Sequence, residues 1–168
     1  MSTPGHPDRH DMAGRTARSE ALYQELILDH YRSPRNRGEL PGADVTIAHR
    51  NPLCGDELTV SLALDGDRVK EARFMGRGCA ISQAAASMLS GALRGLTTAE
   101  ARALLARYAA MFTSDADAAA RAADDTTLGE LRALSGVARL PARIRCALLP
   151  SDAFTRALGE LPLPPREG

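Results

Sequence analysis

A change of apolar period near residue 78 constrains the fold more than any other feature of this chain. Between residues 44 and 76, apolar and polar residues alternate, as in β-strands with one buried face. From residue 79 onward the chain is rich in alanine and leucine, which favour helices. Strands followed by helices are typical of the α+β class. We therefore expect an α+β fold in which a small sheet is covered on one side by helices.

The alternating region divides into three strands. The first contains Val45 and Ile47, the second covers residues 58–64, and the third covers residues 69–75. The sequence Asp65-Gly66-Asp67 between the last two strands is typical of a tight turn and predicts a β-hairpin. The pattern thus predicts a three-stranded antiparallel sheet.

Helical patterns lie on both sides of this sheet. An amphipathic helix is predicted from Ser19, a residue suited to capping a helix, to the break at Ser33-Pro34. After the sheet, we expect helices at residues 79–93, 97–112, 128–134 and 141–159. Residues 113–127 carry four aspartates among alanines, so an inserted loop or a short solvated helix is expected there.

The length of 168 residues fits one domain. Residues 1–18 mix Pro, Gly, His, Asp and Arg without an apolar period, and residues 160–168 are rich in proline. We expect a single domain over residues 19–159, flanked by a disordered N-terminal tail and a C-terminal tail.

The charge balance argues against several classes of function. The 21 Lys and Arg residues balance the 21 Asp and Glu residues, so no long-range field attracts nucleic acid or an anionic membrane. No apolar run approaches the roughly 18 residues that a membrane-spanning helix needs. The N-terminus has no apolar segment of the secretory type, so we expect a cytoplasmic protein.

Three cysteines, an odd number, argue against a disulfide framework. Cys54 lies in Asn51-Pro52-Leu53-Cys54-Gly55-Asp56, where residues two apart on an extended segment point the same way, so Cys54 and Asp56 can face one point. Cys79 is predicted at the start of a helix, where the dipole favours the thiolate. Cys146 is predicted in the last helix, with Arg143 on the same helix face.

Three thiolates and one carboxylate form a complete tetrahedral ligand set for Zn²⁺. Such a site carries a net charge of minus two, so cations are expected nearby, and the candidates are Arg50, Arg77, Arg143 and Arg145. Residue chemistry also allows a second interpretation, in which the three cysteines are buried separately as small apolar residues. No CxxC pair is present, so spacing leaves both interpretations open.

Several motifs, each around a cysteine and in a fixed order, resemble those of the U-type iron-sulfur cluster assembly family, which includes the IscU proteins and the NifU N-terminal domain. The resemblance covers about residues 20 to 158 and rests on Ile27-Leu28-Asp29-His30-Tyr31, Pro34-Arg35-Asn36-Arg37-Gly38, the segment Asn51-Pro52-Leu53-Cys54-Gly55-Asp56, and Gly76-Arg77-Gly78-Cys79-Ala80-Ile81-Ser82. Two details are similar to the SufU-like branch. Arg145 stands where IscU-like proteins carry a histidine, and an insertion lies near residues 113–135.

The resemblance implies a fold and a metal site. The fold is of the IscU/SufU type, and a Zn²⁺ would be held by Cys54, Asp56, Cys79 and Cys146. His30 and His49 are the other histidines of the expected domain. We expect His30 to cap or pack the first helix, because thiols and carboxylate already complete the ligand set.

The resemblance also implies an activity that depends on a partner. A SufS-like cysteine desulfurase would donate persulfide sulfur to Cys54, with Arg143 in a supporting role and further iron-sulfur assembly proteins downstream. Three functions remain open: a zinc-dependent sulfurtransferase that is not a stand-alone enzyme, a non-enzymatic scaffold for a [2Fe-2S] cluster on the same ligands, and a structural zinc module. Loss of the histidine before Cys146 weakens the scaffold hypothesis.

Overall fold

The computed structural model describes residues 9–53 and 55–161, with side chains from Glu20 onward. Five α-helices, three strands and one 3₁₀-helical segment follow in the order α1 Arg9–Arg32, β1 Val45–Arg50, β2 Glu57–Asp65, β3 Arg68–Arg77, α2 Ala80–Leu93, α3 Thr98–Ala110, α4 Ala116–Ala123, the 3₁₀ segment Thr126–Arg139 and α5 Pro141–Glu160. No helix in the described part of the chain is long and apolar enough to cross a membrane.

The sheet is antiparallel, with strand order β1-β2-β3, as the alternation predicts. Val60 on the central strand lies opposite Ile47 on β1 and opposite Phe74 on β3. Leu58, Val60 and Phe74 are buried, because side chains two apart on a strand share a face and this face meets the helices.

Helices α2 and α5 cover the inner face of the sheet. Helix α5 contacts β1, β2, α2 and α3, while α2 packs against β3, α1 and α5. Buried Tyr108 on α3 fixes this arrangement further, since its hydroxyl donates a 2.7 Å hydrogen bond to the carbonyl of Ala147 on α5. The sheet and α5 therefore share one apolar core. This shared core holds the start of β2 and the start of α5 at defined positions.

The main corrections concern element boundaries. Helix α1 begins at Arg9 instead of Ser19, so the expected disordered tail is wrong for residues 9–18. Good helix formers, including two alanines and three arginines, precede Ser19, and a helix extends through such residues once its first turn exists. Residues 1–8 and 162–168 lie outside the described part of the chain.

The insertion near residues 113–135 folds into two short elements. Helix α4 is capped by Asp115, whose side chain accepts hydrogen bonds from the backbone N–H groups of Asp117 and Ala118. The 3₁₀ segment is longer than the predicted helix at 128–134, and it kinks at Gly129, where φ is 55°. The acidic stretch is thus ordered by its own aspartates at helix starts.

A buried histidine ties three elements together behind the sheet. His30 Nδ1 lies 2.8 Å from the Ser87 hydroxyl on α2, and His30 Nε2 lies 3.2 Å from Glu130 in the 3₁₀ segment. The Ser87 oxygen also accepts a 2.8 Å hydrogen bond from the backbone N–H of Arg35. These contacts confirm the expectation that His30 packs the first helix.

We expect a His30→Ala variant to lose about 2 kcal/mol of unfolding free energy, because a buried side chain and two hydrogen bonds are removed. Urea denaturation measures this loss. His49→Ala is the control, because His49 is only half-buried and forms no hydrogen bond within the described residues; its effect should stay within about 0.5 kcal/mol. Equal effects of the two substitutions would contradict the structural role of His30.

Candidate metal centre

Three ligand atoms from distant parts of the chain meet at one end of the sheet. A carboxylate oxygen of Asp56 and the sulfurs of Cys79 and Cys146 all lie within 4.8 Å of one another. Asp56 and Cys146 are buried, and Cys79 is half-buried. Three of the four residues implied as ligands therefore converge, whereas Cys54 lies outside the described residues.

The loop that carries Cys54 is closed by Asn51. The backbone N–H of Asn51 donates to the carbonyl of Asp56 at 2.9 Å, and the N–H of Gly55 donates to the carbonyl of Asn51 at 3.0 Å. The Asn51 side chain also accepts a 3.0 Å hydrogen bond from the N–H of Leu53. Gly55 has a φ of 72°, a conformation that glycine adopts without strain. Asn51 thus fixes the turn, while Leu53 at its tip is 71% exposed.

Cys79 is the N-cap residue of α2, as the sequence predicts. Its backbone N–H donates to the Asp56 carboxylate at 3.5 Å, and its sulfur lies 3.8 Å from the Ser82 hydroxyl. A Cβ atom on Gly78 would collide with that hydroxyl and would lie 3.2 Å from the Asp56 carboxyl carbon. A side chain at position 78 would therefore displace the Ser82 hydroxyl and crowd the Asp56 carboxylate.

Cys146 reaches the site from the second turn of α5. This helix begins at Pro141, and proline is well suited to the first turn because it has no N–H to leave unpaired. Cys146 is 4% exposed, so its sulfur is removed from solvent while facing Asp56 and Cys79.

The donor set fits a soft divalent metal ion. In a tetrahedral zinc site with bonds of about 2.3 Å, ligand atoms lie about 3.8 Å apart, so the three described donors, within 4.8 Å of one another, are close enough to hold one ion after a small contraction. Asp56 is 8% exposed, and no basic side chain in the described part of the chain lies within ion-pair distance of it. A buried carboxylate without a cation is costly, and a metal ion held jointly with the thiolates removes that cost.

None of the arginines expected around the site forms an ion pair with Asp56 within the described residues. Arg143, Arg145 and Arg77 are exposed, and no hydrogen bond or ion pair from their guanidinium groups is formed within the described residues. Arg50 forms an exposed ion pair with Glu57 at 3.3 Å. Their charge can therefore reach the thiols only through space.

Sequence reasoning missed two residues that support the ligands. Asn51 organises the loop of Cys54, and Ser82 contacts the sulfur of Cys79 and donates to the carbonyl of the same residue at 3.1 Å. An asparagine before a proline is a turn signal, and a serine three residues after a helix cap faces that cap. Both signals were present in the sequence.

Comparison with known proteins gives consistent matches over most of the chain. The family described as NifU-like N terminal domain matches residues 22–147. The zinc-dependent sulfurtransferase SufU of Bacillus subtilis (strain 168) is 37% identical over 144 residues, covering 86% of this chain and 94% of that protein. The iron-sulfur cluster assembly scaffold protein IscU of Streptococcus pyogenes serotype M1 is 34% identical, covering 82% of each chain.

A solved structure shares the fold. It is the crystal structure of a candidate iron-sulfur cluster assembly scaffold protein for the SUF system from Fervidobacterium islandicum AW-1. The TM-score is 0.73 at 30% identity, and the match covers 83% of this chain and 98% of that chain. The three-stranded sheet with its helices is therefore the architecture of these proteins.

Proposed function

The chain belongs to the family of the NifU-like N-terminal domain, and from this premise we propose that it is a zinc-dependent sulfurtransferase of iron-sulfur cluster assembly. In this proposal it accepts persulfide sulfur from a SufS-like cysteine desulfurase. It acts in the cytoplasm and passes sulfur to downstream assembly proteins. The similarity to the Bacillus subtilis zinc-dependent sulfurtransferase supports this choice.

The observation that carries the proposal is the convergence of buried Asp56 with the sulfurs of Cys79 and Cys146. Together with Cys54, these residues would hold the zinc ion. When bound, zinc would stabilise the thiolate forms of its ligands and join the loop of Cys54 to α2 and α5.

Cys54 is the residue we assign as sulfur acceptor. Its neighbour Leu53 is exposed at the tip of a loop, whereas Cys146 is buried in the core. The Cys54 thiolate attacks the outer sulfur of the desulfurase persulfide. A new S–S bond forms, the old S–S bond breaks, and its electron pair leaves with the desulfurase thiolate.

Arg143 supports this step through its charge. It is exposed in the first turn of α5, three residues before Cys146. A persulfide is anionic near neutral pH, so positive charge on this surface favours its approach to the site. Arg143 is therefore a positioning residue in the proposal.

A second function, assembly of a [2Fe-2S] cluster on the same ligands, is favoured by the named scaffold relatives. Cysteine thiolates are the usual ligands of such clusters, and Asp56 would supply an oxygen ligand. Arg145 opposes this function, because an arginine cannot replace a histidine ligand at that position.

One paired assay tests the proposal against this alternative. We expect protein purified without added iron to contain about one zinc per chain. We also expect its addition to raise the turnover of a SufS-like cysteine desulfurase. A coloured iron-sulfur species without stimulation would support the scaffold, while zinc without stimulation would leave a structural zinc module and overturn the sulfurtransferase.

A further inference from the structure

A cavity lies beside the loop that carries Cys54. It has a volume of about 330 Å³. The end of β1 and the start of this loop form one side of the cavity, and one face of α5 forms the other side. Leu148, Leu149 and Pro52 give it apolar walls, and His49, Arg145 and Asp152 line it with ionisable groups. Its size is at the lower end for ligand pockets, so it suits a small molecule.

No ion pair within the described residues joins the ionisable groups of this cavity, although the charge of His49 acts on the Asp152 carboxyl. Within the described residues, no hydrogen bond or ion pair joins His49, Arg145 or Asp152 to any other side chain. Charged groups that share a cavity without pairing are available to a ligand.

The surroundings of Asp152 perturb its carboxyl although the residue is solvent-exposed. Partial burial raises the pKa of its carboxyl, and the charges of His49 and Arg156 offset this effect only in part. A perturbed carboxyl in a cavity is a feature of binding sites more often than of plain surface. A cationic group of a ligand would stabilise the ionised carboxylate.

Helix geometry explains why Arg145 and Asp152 do not pair directly. They are seven residues apart on α5, which places them on one helix face but about 10 Å apart along the axis. Leu148 and Leu149 occupy the turn between them. The Arg145 cation and the Asp152 anion therefore lie at opposite ends of a short apolar part of the cavity wall.

We propose that this cavity binds a small zwitterion of the α-amino acid class. The ligand carboxylate is held by the Arg145 guanidinium, and its ammonium group by the Asp152 carboxylate. An α-amino acid with one hydrogen bond at each end spans about 8 to 9 Å, comparable to the rise of about 10 Å that separates the two residues along α5. His49 hydrogen-bonds to the carboxylate from the β1 side.

The site is independent of the sulfur-acceptor function. Its polar groups lie outside the proposed zinc ligands, and only Asn51 and Pro52 belong to both the cavity and the loop of Cys54. Ligand binding can therefore be measured without a desulfurase, and its failure would leave the proposed function untouched.

Titration of the zinc-loaded full chain with L-serine tests the proposal. L-serine is the probe because it carries both charged groups but no thiol that would compete for zinc. Near pH 8, we expect saturable binding by calorimetry in the millimolar range or tighter. We also expect shifts of the Asn51 and Leu53 amide signals in NMR spectra. Propionate, which has the carboxylate alone, should bind at least about tenfold more weakly.

Variants locate the two ends of the ligand. Arg145→Gln and Asp152→Asn should each weaken L-serine binding about tenfold or more, whereas Asp152→Asn should leave propionate binding unchanged. Arg121→Gln on exposed α4 is the matched control and should bind like the parent chain. The proposal would be overturned if L-serine did not bind, or if propionate bound as tightly as L-serine. It would also be overturned if either Arg145→Gln or Asp152→Asn left the affinity for L-serine unchanged.

Discussion

A Cys54→Ala variant is expected to gain no sulfur from a SufS-like cysteine desulfurase, while the parent chain gains one sulfur atom. The reason is the role of sulfur acceptor that we propose for Cys54. Leu53, beside Cys54, is 71% exposed on a loop that Asn51 closes, whereas Cys146 is 4% exposed. Only a thiolate that reaches the donor persulfide can attack its outer sulfur. Intact-protein mass spectrometry after a single desulfurase turnover measures the transfer.

Two further variants separate the acceptor role of Cys54 from its role as a ligand. Cys54→Asp supplies a carboxylate donor for zinc but has no nucleophilic sulfur, so it should retain metal and gain no sulfur. Asp56→Asn keeps the thiol and weakens the metal site, so it should still gain sulfur on Cys54. Sulfur gain by Cys54→Ala at the rate of the parent chain would show that another thiol is the acceptor.

Local patterns predicted most of the fold. The alternation over residues 44–76 and the turn at Asp65-Gly66-Asp67 gave the three strands and the hairpin, because residue period and turn chemistry are local properties. The start of α1 was predicted ten residues late, since no apolar period marks residues 9–18. Helix propensity alone extends α1 there.

The metal centre could be predicted only in part from the residues. The three described donors, Asp56, Cys79 and Cys146, come from separate parts of the chain. Their spacing in the sequence was equally compatible with one shared site and with three cysteines buried separately. The family resemblance implied one site, and the packing of α2 and α5 on the sheet brings three of its donors together. Neither local pattern nor spacing indicated the cavity between His49 and Asp152, because it exists only where β1 meets α5.

Removal of the metal is expected to lower the melting temperature by about 8 to 16 °C. The proposed ligands join the loop after β1, the start of α2 and the second turn of α5. A metal that binds only the folded chain stabilises it by about 4 kcal/mol when its free concentration is roughly a thousand times the dissociation constant. For a chain of this size each 1 kcal/mol corresponds to about 2 to 4 °C. Calorimetry before and after chelation, with metal content measured in parallel, gives the shift.

Asp56→Asn distinguishes stabilisation by metal from damage caused by chelation. Without metal, this variant should melt above the metal-free parent, because it lacks the buried carboxylate that has no cation beside it. With metal, it should gain far less than the parent, because a strong ligand is missing. Asp65→Asn in the exposed hairpin turn should behave as the parent in both states. If the parent melts at the same temperature after complete chelation, zinc does not hold these three elements together.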